Sequence, residues 1–106
     1  MLHILTDTDI KLNQLINQDF EKIVLYFTAT WCGPCKKIAP VVEELSNGED
    51  YKNSTLFVKI DVDECEELMS ECMVNCMPTF QFYKGGKKVD TLEGCDEKAL
   101  RMKVSL

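Results

Sequence analysis

The chain has 106 residues, 45% of them hydrophobic, and a formal net charge of -6. A chain of this length makes one domain, residues 1–106, that buries roughly 60–70% of its unfolded surface, and it is too short for two. The acidic balance argues against nucleic acid as a partner, and no stretch approaches the roughly 20 apolar residues that span a bilayer.

The opening "MLHILTDTD" lacks the basic and long apolar regions of an export signal. Residues 2–5 read as a short strand, with His3 as a solvated side chain. Thr6 to Asp9 offer several capping side chains, and Ile10, Leu12, Leu15 and Ile16 give the next helix one apolar side. "KIVLYFTA" is β-branched and aromatic with little polar alternation, the pattern of a central strand buried on both faces. Residues 33–47 form a helix from the spacing of Ile38, Val41, Val42 and Leu45. Gly48 follows its end, and Pro40 inside it is expected to kink it. "TLFVKIDV" is the next strand and "ECEELMSECM" a short acidic helix with a solvated face. "TFQFYKGGKKVDTLEG" is a hairpin turning at Gly85-Gly86, and a last helix runs from Asp96, with Ala99, Leu100, Lys103 and Val104 on one side. The order β-α-β-α-β-α-β-β-α predicts an α/β fold: a mixed sheet of four to five strands flanked by helices on both faces.

Six cysteines in a chain without an export signal point to the cytosol, where thiols stay reduced, and not to a disulfide framework. Two of them, Cys32 and Cys35, sit where the central strand hands over to a helix. At positions i and i+3 they share one face and are close enough to close a small ring. Cys32 meets unpaired backbone N–H groups and the positive end of the helix dipole, both of which favour thiolate. Pro34 suits a first helical turn because its missing N–H would have had no helical partner. The bland alternatives are a core Trp31, an edge-stop Pro78, and a zinc site of Cys32, Cys35, Cys72 and Cys76; the last has ligand-like spacings but only one His in the chain. No metal ligand set is assigned.

"ATWCGPCKKIAP" followed by "CMPTFQFYKGGKKV" resembles the thioredoxin family, particularly its cytosolic animal members. A bare C-x-x-C is weak, but Trp-Cys-Gly-Pro-Cys with a later Met-Pro-Thr is specific. The resemblance implies the thioredoxin fold and a thiol–disulfide oxidoreductase reducing protein disulfides, with no bound cofactor beyond the Cys32–Cys35 disulfide. It implies that Cys32 attacks the target, Cys35 resolves the mixed disulfide, and an NADPH-dependent thioredoxin reductase regenerates the pair. Trp31, Gly33, Pro34 and Lys36 would support the site. Pro78 would be cis, and Met77, Pro78, Thr79 and Gly94 would form an apolar groove for an extended target segment.

One residue departs from that pattern. The family carries a buried Asp on the central strand five residues before the Trp; here the position is Tyr26. A phenol titrating near 10 is no base at neutral pH, though it can donate to a thiolate or hold a water. Resolution by Cys35 is therefore expected to be slow, and the alternative function is a slow-turnover binding or redox-sensing module. Cys65, Cys72 and Cys76 match positions where animal thioredoxins also carry cysteine, which implies secondary oxidation and a Cys76-linked homodimer. Cys65 and Cys72 lie two helical turns, about 10 Å, apart on the acidic helix, too far for a direct bond. Cys95, beside Gly94, is a further candidate regulatory thiol.

Overall fold

The computed structural model describes residues 1–106. Five strands form one sheet in the order β1-β3-β2-β4-β5. These are β1 (Leu2–Ile4), β2 (Lys22–Thr28), β3 (Thr55–Asp61), β4 (Thr79–Lys84) and β5 (Lys87–Glu93). β1, β3 and β2 run parallel, and β4 and β5 are antiparallel to their neighbours. Four helices connect and cover them: α1 (Leu12–Ile16), α2 (Gly33–Asn47), α3 (Glu66–Glu71) and α4 (Glu97–Ser105). The expected element order is the one observed.

β2 is central, and all seven of its residues are buried. The two-residue pleat divides its side chains between two cores. Ile23, Leu25 and Phe27 join a cluster with Leu15, Val58, Ile60 and Leu68 on the α1 and α3 side. Val24 and Tyr26 join Phe57, Phe80, Ile38, Val42 and Leu100 under α2 and α4. Cys32 and Cys35, although they begin α2, belong to the first cluster. The start of α2 therefore lies at the carboxyl end of the sheet, where ligand sites of such sheets form.

Two helices differ from expectation. Thr6 to Asp9 do not cap α1: Asp7 Oδ1 accepts from the Asp9 N–H at 3.0 Å within a turn, and the Lys11 N–H donates to Gln14 Oε1 at 2.9 Å instead. The acidic helix is six residues, not ten. Cys65 sits at its N-cap outside helical dihedrals, and Met73 at φ +58° turns left-handed just past Cys72 and stops it. α2 runs through Pro40 as one helix. Asp96 caps α4, its Oδ1 accepting from the Ala99 N–H at 3.0 Å. Gly85 and Gly86, at φ +57° and +78°, make the hairpin turn, whose two central residues require positive φ.

Candidate active site

Cys32 is the N-cap of α2, and its Sγ accepts from the Cys35 N–H at 3.1 Å. The sulfur thus takes the place of a capping oxygen among the orphan amides of the first turn, where negative charge is favoured. Gly33 and Pro34 occupy the first two helical positions and are exposed. Cys35 follows, and its Sγ is bonded to that of Cys32 across a Cα–Cα distance of 5.3 Å. Only 5% of Cys32 and 2% of Cys35 are exposed. A target must therefore come in over the rim to reach the sulfurs.

That rim is built from three segments. Trp31 is 65% exposed, so the core reading fails; its Nε1 donates to Asp63 Oδ2 at 2.9 Å, tying the indole to the segment between β3 and α3. The Met77-Pro78 peptide is cis, and the Met77 carbonyl oxygen lies 3.6 Å from Cys32 Sγ. Pro78 and Thr79 are buried. The Gly94 N–H donates to the Pro78 carbonyl at 2.9 Å, and Gly94 holds φ +93°. A Cβ there would meet nothing within 4 Å, but an L side chain would strain the backbone. The structure thus brings Trp31, Met77, Pro78 and Gly94 around the cysteine pair. The rim is not wholly apolar: Asp63 and Glu93 stand on it, the latter accepting from Cys76 Sγ at 3.3 Å.

Tyr26 differs from its expected contact. Its hydroxyl donates to the Cys35 backbone carbonyl at 3.3 Å, not to a sulfur. The ring stacks on Phe80 with centroids 5.0 Å apart, and from there the phenol reaches across to the α2 backbone. Burial pushes its pKa above the ordinary value of 10.0.

The remaining cysteines are scattered. Cys65 and Cys72 are free and buried at the two ends of α3. Burial raises both thiols, Cys72 to about 11, so neither is a ready nucleophile at neutral pH. Cys76 and Cys95 are free and exposed. No group of three or more His, Cys, Asp or Glu side chains is arranged to hold a metal. Lys36 and Lys37 are exposed just after the pair.

A disulfide ring at a helix start facing a cis-Pro loop is the arrangement expected of the family named above. The thioredoxin family profile matches residues 3–105. The chain belongs to the thioredoxin family. It is 48% identical over 91 residues to the thioredoxin of Ictalurus punctatus, covering 86% of this chain and 84% of that one. Against the thioredoxin of Homo sapiens it is 47% identical over 83 residues, or 78% and 76% of the two chains. Among solved structures it is similar to the thioredoxin of Malassezia sympodialis, with TM-score 0.87, 36% identity and 99% and 89% coverage. The oxidised thioredoxin of Plasmodium falciparum gives TM-score 0.81 at 37% identity, covering 99% and 96%.

Membership makes the protein a thiol–disulfide oxidoreductase whose redox centre is the Cys32–Cys35 disulfide itself. Thioredoxins act on protein disulfides and are re-reduced by thioredoxin reductase. No helix is long and apolar enough to cross a membrane. Sequence reasoning missed Asp63 and Glu93 on the rim, and Lys59 and Asp61 behind the site. The signal for the last two was present: they are the two charged residues of a largely apolar strand, two positions apart and so on one face.

Proposed function

We propose that this thioredoxin reduces protein disulfides with Cys32 as attacking sulfur and Cys35 as resolving sulfur. The observation that carries this reading is the position of Cys32 Sγ. It caps α2, receives the Cys35 N–H at 3.1 Å, and lies 3.6 Å from the Met77 carbonyl. A thiolate at that cap is stabilised by the helix amides and dipole. An extended target segment pairs with the Met77 backbone beside Pro78, which brings its disulfide in line with Cys32. Attack forms a Cys32–target disulfide and expels the target's second sulfur as thiolate. Cys35 then attacks Cys32 Sγ, closing the ring and releasing the fully reduced target. Trp31 and Gly94 bound the groove, and Gly33, Pro34 and Lys36 shape the first turn.

Turnover tests the assignment. With NADPH, a thioredoxin reductase and excess insulin, the protein is expected to consume many equivalents of NADPH per molecule. Consumption that stops at one equivalent would favour the binding-module reading.

The cytosol is the compartment this reading places it in: four free thiols, two of them exposed, suit a reducing environment. Cys76 supports a second, regulatory behaviour. It is exposed and adjoins Met77 at the groove, so a Cys76–Cys76 disulfide between two copies would cover both active sites. On mild oxidation followed by a non-reducing gel, wild type is expected to give a dimer band and Cys76→Ser none. A dimer of undiminished intensity in Cys76→Ser would exclude this thiol.

A further inference from the structure

Under α2, the face shared by β2 and β3 is apolar in its middle and polar at its carboxyl end. Val24 pairs with Phe57, and both are fully buried. Farther along the same face come Tyr26 opposite Lys59 and then Thr28 opposite Asp61. Polar side chains on a core-facing sheet surface need partners or water. These four, with Cys35 and the exposed Glu64, line a cavity of about 290 Å³ under the first turn of α2. That is many times the roughly 30 Å³ of one water, and its lining offers hydroxyls, carboxylates and two ammonium groups to hold a chain of them.

The resolving step needs such a path. Cys35 enters it as a thiol and must lose its proton before its sulfur can attack Cys32. Tyr26 cannot take that proton: it is a neutral phenol, and its own proton points to the Cys35 carbonyl at 3.3 Å. Lys59 of β3 and Lys36 of α2, which also line the cavity, are cations without accepting capacity. β1 and the residue after it contribute only Ile4 and Leu5. Two carboxylates remain. Glu64 is exposed to bulk water, whereas Asp61 is half-buried at the end of β3 and held in place, its Oδ1 accepting from the Asp63 N–H at 2.9 Å.

We propose that Asp61, acting through water in this cavity, accepts the proton that Cys35 gives up during resolution. The inference rests on the reductase reading above and assigns the base that reading lacks. The proton passes from Cys35 Sγ through water to the Asp61 carboxylate. The Cys35 thiolate then forms the bond to Cys32 Sγ as the Cys32–target bond breaks. The departing target thiolate takes up a proton from water, and Asp61 later returns its own to solvent. Two electrons move from the dithiol to the target.

The test is stopped-flow decay of the mixed disulfide between Cys32 and a fluorescent cysteine peptide, from pH 5.5 to 9. In Asp61→Asn, which keeps an oxygen for the Asp63 N–H and hence the turn, decay at pH 7 should slow on the order of tenfold. The deficit should vanish toward pH 9 as hydroxide replaces the carboxylate. Alkylation of Cys32 should be unchanged, and adding Tyr26→Asp to Asp61→Asn should restore the rate. A pH profile superimposable on wild type would overturn the proposal, as would a loss found in Glu64→Gln and not in Asp61→Asn. Wild-type protein that never releases the peptide would instead overturn the reductase reading itself.

Discussion

Cys35→Ser should convert the protein from a catalyst into a trap. The variant retains Cys32 at the N-cap, and the donor to it is the backbone N–H of residue 35, which the substitution leaves in place. Attack therefore persists. A serine hydroxyl cannot supply an anion to displace the target at neutral pH, so the mixed disulfide accumulates to one equivalent. Steady-state reduction of insulin should fall on the order of 10³-fold or more, as when a covalent catalytic group is removed. Cys32→Ser should lose turnover equally but form no adduct. Intact-mass analysis separates the two: the peptide mass should appear on Cys35→Ser alone. Adducts on Cys32→Ser, or sustained turnover in Cys35→Ser, would reverse or remove the assigned roles.

Tyr26→Asp should make the protein faster and less stable. A carboxylate at position 26 stands directly opposite Lys59 and beside Cys35, so the proton has a nearer acceptor than Asp61. Mixed-disulfide decay is expected to rise on the order of tenfold at pH 7. The cost is structural. Tyr26 is 1% exposed and stacked on Phe80, and truncating a buried aromatic costs about 3–5 kcal/mol. The new carboxylate adds a pH dependence. Burial raises its folded pKa above the unfolded value of about 3.9, so the folded state binds more protons than the unfolded one between the two. Stability relative to wild type should then be least impaired near pH 4 and fall as pH rises toward neutrality. Thermal melts of both proteins from pH 4 to 8 read this directly. A deficit that shrinks with rising pH would mean that Lys59 fully compensates the charge. A decay rate equal to wild type would show that proton removal does not limit resolution.

The elements that periodicity encodes are legible in the sequence. β2 announces itself through an unbroken β-branched and aromatic run, α2 through Ile38, Val41, Val42 and Leu45, and the hairpin through Gly85-Gly86. The cysteine pair was equally plain, because its chemistry depends on local spacing at a strand-to-helix junction. What stayed hidden depends on chain crossings. Trp31 meets Asp63 across 32 positions and Cys76 meets Glu93 across 17, and no local pattern carries either. The ends of α3 were misplaced because its apolar spacing continues beyond Glu71, while the backbone at Met73 has already turned left-handed. Tyr26 stands out in the sequence as the departure from the family. Its actual hydrogen bond, to a carbonyl on α2, follows from how the two elements pack.

The pH profile of Cys32 alkylation in the reduced protein tests the central claim most directly. If the helix start holds this sulfur as an anion, iodoacetamide should label Cys32 first. Its rate should follow a titration well below the value of about 8.5 for a free thiol. A rate at pH 7 no higher than that of a free cysteine, with a titration at or above that value, would contradict the account.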